Sequence, residues 1–249
     1  MDNGTVWEPS HSAVREACLR WSHGTSMSYD TEGWDQLCRE IGDKPDQWLH
    51  VIQDLIVESN DHDMVTSIAS GPLPAVLKVG GAALQRRAIE WTQGDSKRVA
   101  ALFRGLALGL MANGQDGESL AVHALGLDVV ADAYARQTMQ APKTFSWDLW
   151  TVDLAIQMTD SEPQFIWDLI QLVVGRVPPE KLGGVGAGLL EDFCWSASES
   201  YIDRIEARAA EDVAFKAALG SVWPGREGIS PAVYARIRRA AGVAPSPYD

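Results

Sequence analysis

Apolar residues return along this chain at spacings of three and four, the signature of helices with one buried face. The densest case begins at Pro45, where Trp48, Leu49, Val51, Ile52, Leu55 and Ile56 cover most of a helix circumference and predict a central helix. Before it, Val14, Cys18 and Trp21 mark a short helix over Ser10–Trp21, and Trp34, Leu37, Cys38 and Ile41 a second one that Thr31 would cap. After it the pattern predicts helices over Met64–Leu77 with a break at Gly71-Pro72, Ala82–Trp91, Asp95–Leu110 and Glu118–Ala135. The second half predicts Trp147–Met158, Glu162–Gly175, Glu180–Cys194, Ser198–Ala210, Asp212–Val222 and Ser230–Ala240. Ser161-Glu-Pro-Gln164 and Ser196-Ala-Ser-Glu199 fit capping boxes, and Ser230-Pro231 places a cap before a proline at the first helical position. No run alternates apolar and polar residues as a strand would, so the expected class is all-α.

The same blocks occur twice in the same order. Thr144-Phe-Ser-Trp147-Asp148 answers Thr31-Glu-Gly-Trp34-Asp35, and Pro163–Gln171 answers Pro45–Gln53. Gly188-Leu-Leu answers Gly71-Pro-Leu, Asp212–Leu219 answers Asp95–Leu102, and Gly225–Ala235 answers Gly114–Ala124. The offsets are 113, 118, 117, 117 and 111, so the copies differ by short insertions and deletions at loops. This predicts two tandem multi-helix repeats packed together, either α-solenoid-like or as a helical bundle. Their expected bounds are 31–138 and 144–242, with an N-terminal arm and short helix over 1–30 and a flexible tail over 243–249.

Composition narrows the possibilities. A hydrophobic share of 46% with ten Trp in 249 residues is that of a folded globular chain. The start, MDNGTVWEPSHS, has no basic region followed by an apolar run, and the longest weakly polar stretch, Val99–Ala112, is interrupted by Arg104. Neither a signal peptide nor a membrane span is expected. Three cysteines, Cys18, Cys38 and Cys194, form no close pair, which favours reduced thiols and a cytoplasmic location. A net charge of −13 opposes binding to nucleic acid and favours a basic protein partner or simple solubility. The one basic cluster, Arg236, Arg238 and Arg239, suits the negative end of the last helix.

At Gly188-Leu-Leu-Glu-Asp192, Tyr201-Ile-Asp-Arg-Ile-Glu206, Asp212, Phe215, Ala218-Leu219 and Val222-Trp223 the chain resembles a small bacterial helical domain of unknown function. Members of that family carry Gly-Pro-Leu-Glu-Asp, an Ile-Glu-Arg-Ile-Glu-like helix and an Ala-Leu…Val-Trp ending. The resemblance covers about Trp147–Ala240 and, through the repeat, Trp34–Leu110 faintly. It departs at Leu189, where the family has proline, and Pro74-Ala75 replaces Glu191-Asp192 in the first copy. It implies a fold and a bacterial source, and no mechanism.

Within that block Glu191, Asp192, Arg204 and Glu206 are the densest polar group, expected on two successive helices that could face each other. They form either a carboxylate and guanidinium site, with Trp223 beside it, or an ion-pair network with Arg204 spanning both helices. His50, Asp54, Glu58, Asp61, His62 and Asp63 match no metal-ligand spacing, and a solvated helix end explains them, so no metal is expected. Gly183-Gly-Val-Gly-Ala-Gly188 lacks the Lys-Ser/Thr of a phosphate loop and suits close helix packing instead. Cys18 with His11 or His23 is the one nearby thiol–imidazole pair, with nothing to orient it. The Trp residues stand at helical core spacing or beside turns, notably Trp195 and Trp223; most should be core, and one or two exposed ones would suit an interface.

Neither a catalytic set nor a cofactor motif emerges. The leading expectation is a non-enzymatic helical module, immunity-like or regulatory, that binds a basic protein through an acidic face or an inter-repeat groove. A small-molecule sensor or enzyme with a pocket at Glu191, Asp192, Arg204 and Trp223 is the alternative. A third reading makes the first copy a vestigial support for the second.

Overall fold

A computed structural model describes residues 39, 41–110, 117–141, 144–223 and 229–243. The expected N-terminal arm, the Ser10–Trp21 helix, the Thr31 cap, most of the helix from Trp34, Cys18, Cys38, His11, His23, the loop at Gly114–Asp116 and the tail beyond Val243 lie outside these residues. The described residues are helical and contain no strand, so the protein is all-α. None of the described helices is long and apolar enough by itself to cross a membrane. The chain divides into two compact units, 1–125 and 126–249.

In the first unit, α1 (Pro45–Glu58) starts at its proline, which occupies a position where the missing N–H goes unused, and buries Trp48, Leu49, Ile52, Leu55 and Ile56. Its last carbonyls are satisfied from outside, because Lys97 Nζ donates to the Val57 and Ser59 carbonyls at 3.0 and 2.9 Å. Asp61 caps α2 (His62–Ser70), accepting from the Asp63 and Met64 amides at 2.9 and 3.3 Å. Gly71 separates α2 from α3 (Pro72–Thr92), which is itself interrupted at Gly81, just before the expected start at Ala82. Asp95 caps α4 (Ser96–Leu110) through the Arg98 amide at 2.9 Å, as its position in the sequence predicts. α5 (Gly117–Leu125) closes the unit.

The second unit opens at a glycine. The sequence predicts one helix over Glu118–Ala135, but Gly126 adopts φ 88°, which an L side chain resists, and α6 (Leu127–Met139) starts afresh after it. The division into units falls here, ahead of the sequence boundary at Met139–Lys143. α6 is tied to the second unit by Arg176, whose guanidinium meets Asp128 at 2.5 Å and Asp132 at 3.1 Å. α7 (Trp150–Ser161) and α8 (Pro163–Val174) follow, then a 3-10 turn at Pro179–Lys181. α9 (Leu182–Val185) runs through a π-turn at Gly186–Leu190 directly into α10 (Glu191–Glu211), and α11 (Val213–Leu219) and α12 (Pro231–Ala241) complete the unit.

The two helices expected at Glu180–Cys194 and Ser198–Ala210 are therefore one continuous path. Ser196-Ala-Ser-Glu199 lies inside α10 and caps nothing, because Phe193, Cys194, Ala197, Ile202 and Ile205 form an unbroken buried stripe across it. Glu162, not Ser161, is the cap residue of α8, whereas Ser230 does stand at the cap position of α12 ahead of Pro231, its carbonyl accepting from the Tyr234 amide at 2.9 Å, though its side chain makes no capping bond. Asp212 does cap α11, accepting from the Ala214 and Phe215 amides at 2.8 and 3.1 Å. At the centre, Trp167 of α8 meets Phe193 of α10 and Phe215 of α11 with ring centroids 5.7 Å apart in each case, and Tyr201 lies 5.0 Å from Phe193. Such tilted and edge-to-face aromatic pairs contribute about 1 kcal/mol each beyond their buried area.

The glycine-rich stretch is a packing device, as its sequence suggests. A Cβ on Gly186 would run into the Ala218 carbonyl oxygen, and would lie 2.9 Å from both the Ala218 carbonyl carbon and Ser221 Cβ. The absence of a side chain lets the π-turn lie against the end of α11.

Candidate functional site

Glu191, Asp192, Arg204 and Glu206 all lie on α10, so they do not face each other across two helices. Glu191 and Arg204 are about 20 Å apart along the axis at ~1.5 Å rise per residue. Trp195 and Arg204 point in opposite directions, about 180° apart at roughly 3.6 residues per turn. The expected network with Arg204 bridging to Glu191 and Asp192 is not formed, and the same geometry keeps Arg204 out of any pocket with Trp223. The long helix sends Glu191, Arg204 and Glu206 to three separate neighbours.

The first neighbour is the segment after α11. Glu191 Oε2 accepts from the Trp223 amide at 2.9 Å, and Trp195 Nε1 donates to the Trp223 carbonyl at 3.0 Å. Both backbone groups of Trp223 are thereby held by side chains one turn apart on α10, while its own side chain stays 71% exposed and Trp195 stays 42% exposed. Among the described residues neither Glu191 nor Asp192 pairs with a cation. Partial burial, and then the charge of Glu191, hold the Asp192 carboxyl above the usual aspartate range. Behind it the phenol of Tyr134 is pushed up by burial and further by Asp192, against a hydrogen bond with the Leu189 backbone in the π-turn. A π-turn departs from the regular α ladder, and here Tyr134 meets it. Cys194 is fully buried, and burial with the nearby Glu191 charge pushes its thiol up, so it is not a ready nucleophile.

These shifts give a pH dependence with a definite sign. A carboxyl whose folded value is raised weakens the fold as pH climbs from the unfolded value, 3.8, through the raised one. Asp192→Asn is therefore expected to leave stability unchanged near pH 3, where both states are protonated, and to raise the melting temperature at pH 7. Melting curves at the two pH values check this, and a stabilisation equal at both would contradict it.

The second neighbour is α8. Arg204 NH1 donates to Gln164 Oε1 at 2.8 Å, and its guanidinium lies 5.1 Å from the Trp167 ring centre and 4.8 Å from that of Tyr201. The third is α12, where Arg236 donates to both Glu206 oxygens, Nε at 2.9 Å and NH2 at 2.6 Å, and also reaches Asp203. The Arg236 hydrogen bond holds the Glu206 carboxyl below its usual range. Glu206 is thus a helix-crossing residue. Arg236, assigned from the sequence to the helix dipole alone, serves this pair as well.

Sequence reasoning missed Asp148 as an ionic residue, though Trp147-Asp148 was one of the repeated blocks. Asp148 is fully buried and bound in a two-point pair, Arg136 Nε to Oδ2 and NH2 to Oδ1, each at 3.0 Å. Its amide donates to Ser146 Oγ at 3.1 Å, and Thr151 Oγ1 donates to its carbonyl at 2.8 Å. The recurring Ser/Gly-Trp-Asp before a helix was the available signal. In the His and carboxylate cluster of the first unit, Asp61 serves as the α2 cap. No three His, Cys, Asp or Glu among the described residues are grouped to hold a metal.

The paired Asp148, the π-turn, the aromatic centre and Trp223 all fall in one stretch that other sequences share. Residues 136–243 match a family of unknown function, DUF6869. The DUF6869 match opens on Arg136, the partner of Asp148, and closes just past α12. It contains Gly188–Trp223, the residues that carry the resemblance, and likewise assigns no function. No curated protein and no solved structure matches the chain.

Proposed function

We propose that the protein is a non-enzymatic interaction module, working without cofactor or metal, and that the surface made by Glu191, Asp192, Trp195 and Trp223 takes a basic segment of a protein partner. The observation that carries this is the fixing of Trp223 by its backbone while its indole faces solvent. Two hydrogen bonds spent on holding a solvent-facing indole make sense where a rigid aromatic anchor is wanted, because little entropy is then lost on binding. The adjacent carboxylates, without a cation among the described residues, supply the sign: a Lys or Arg side chain would offset Asp192 and Glu191 and lie against the indoles. The net charge of −13 would speed encounter with such a partner.

We also propose that the two units descend from one domain by duplication. In support, each contains a proline-started helix (α1, α8), later a helical stretch of 21 residues (α3, broken at Gly81, and α10, unbroken), and then an aspartate-capped helix (α4, α11). Bacterial origin and an intracellular, immunity-like or regulatory setting belong to the same proposal and rest on the resemblance and the cysteine usage.

The test is capture of partners from the native extract at low and high salt by the protein and by its Trp223→Ala and Glu191→Gln variants. A basic protein retained at low salt, released by salt, and bound at least ~30-fold more weakly by Trp223→Ala is the expected result. Equal retention by protein and variants, or a turnover activity abolished by Glu191→Ala in a folded variant, would overturn it.

A further inference from the structure

We infer that Arg204 is a preformed recognition group for a singly charged carboxylate, on the face of α10 turned away from Trp195. Most described arginines in the second unit are matched by carboxylates: Arg136 by Asp148, Arg176 by Asp128 and Asp132, Arg208 by Asp212, and Arg236 by Asp203 and Glu206. Arg204 is not, although the chain holds 34 acidic residues against 21 basic ones. Its acidic neighbours are committed elsewhere. Asp168 takes the Gln164 side-chain amide at 2.9 Å, and Asp203 and Glu206 belong to Arg236.

What Arg204 has instead is fixation. Its guanidinium plane is set by the Trp167 and Tyr201 rings, and NH1 is set by Gln164 Oε1. Gln164 is held in turn, since Tyr201 donates to the same Oε1 at 3.4 Å and Asp168 receives its Nε2. This chain of contacts locks a long side chain whose freedom would otherwise have to be lost on binding. The side chain as a whole remains exposed, with only NH1 engaged among its donors. A guanidinium edge with two parallel N–H groups matches a carboxylate at two points. The nearby Asp168 and Asp203 disfavour a dianion, and this selects a singly charged carboxylate over a phosphate. The inference stands apart from the Trp223 surface, which lies on the other side of the helix.

The test follows the arginine Nε–H signals of the 15N-labelled full-length protein by NMR while sodium acetate is added at constant ionic strength, with inorganic phosphate and sodium chloride as parallel arms. The Arg204 signal is assigned by its loss in Arg204→Lys. A saturable shift of that signal with acetate, at least threefold tighter than with phosphate and absent with chloride, is the expected result. A linear or absent response to acetate overturns the inference, and so does tighter binding of phosphate. Should Arg204→Lys fail to fold, Gln164→Glu identifies the same signal by perturbing its hydrogen bond, and the wild-type titration decides.

Discussion

Asp148→Ala is expected to destabilise the second unit by about 3 kcal/mol, and Arg136→Met by more, up to ~5 kcal/mol, the range for breaking a buried ion pair by removing one partner. The asymmetry follows from burial. Removing the carboxylate leaves a guanidinium whose side chain is 27% exposed, whereas removing the guanidinium strands a carboxylate with no exposure at all. Against a total folding free energy of about 5–15 kcal/mol, either change is large. Replacing both residues, as Arg136→Met with Asp148→Leu, should recover much of the loss, because a buried pair replaced by packed apolar groups is often neutral. Urea unfolding of the four proteins gives the coupling directly from the midpoints at a constant slope. Single variants within ~1 kcal/mol of the parent would show that the pair is not holding α6 to the start of α7.

Gly186→Ala and Gly183→Ala should have opposite signs. A methyl at Gly186 meets the Ala218 carbonyl and Ser221 Cβ, so the backbone at the end of α11 must move, and a loss of about 3 kcal/mol, the upper part of the usual overpacking range, is expected. At Gly183 the nearest atom to a new Cβ is Ser221 Oγ at 3.4 Å, an ordinary contact. There the gain in helix propensity dominates and stability should rise by up to ~1 kcal/mol. Thermal melts of the two variants suffice. A Gly186→Ala protein as stable as the parent would mean that the π-turn and α11 can part without cost.

Much of the local structure was written in the order of residues. The helices at Pro45, Asp95, Pro163 and Asp212 begin where a proline or an aspartate cap announces them, since these devices act within one turn of the residue that provides them. The glycine-rich stretch was read as close packing for the same kind of reason: it carried no group able to hold a phosphate. The failures came where a local signal met a longer-range one. Ser196-Ala-Ser-Glu199 has the composition of a cap, but the buried stripe from Phe193 to Ile205 gains more by continuing than a cap gains by stopping. Gly126 carried the opposite error, for a glycine within a helical pattern does not declare its φ.

The candidate residues show the same division. Glu191 and Asp192 are legible in the sequence as part of a polar group with Arg204 and Glu206, with Trp223 beside it, whereas only the structure joins Trp195 to Glu191 at the Trp223 backbone. Arg204 was drawn into that group by closeness in sequence, and helix geometry sent it to the opposite face. Periodicity, caps and breakers settled the all-α class and most helix starts, because they depend on neighbours within a few residues. The partner of each charge was decided by the tertiary structure alone: Asp148 with Arg136, Glu206 with Arg236, Arg204 with the rings of Trp167 and Tyr201. Such pairings depend on which helix faces come together, and the energy that chooses those faces is the burial of the core.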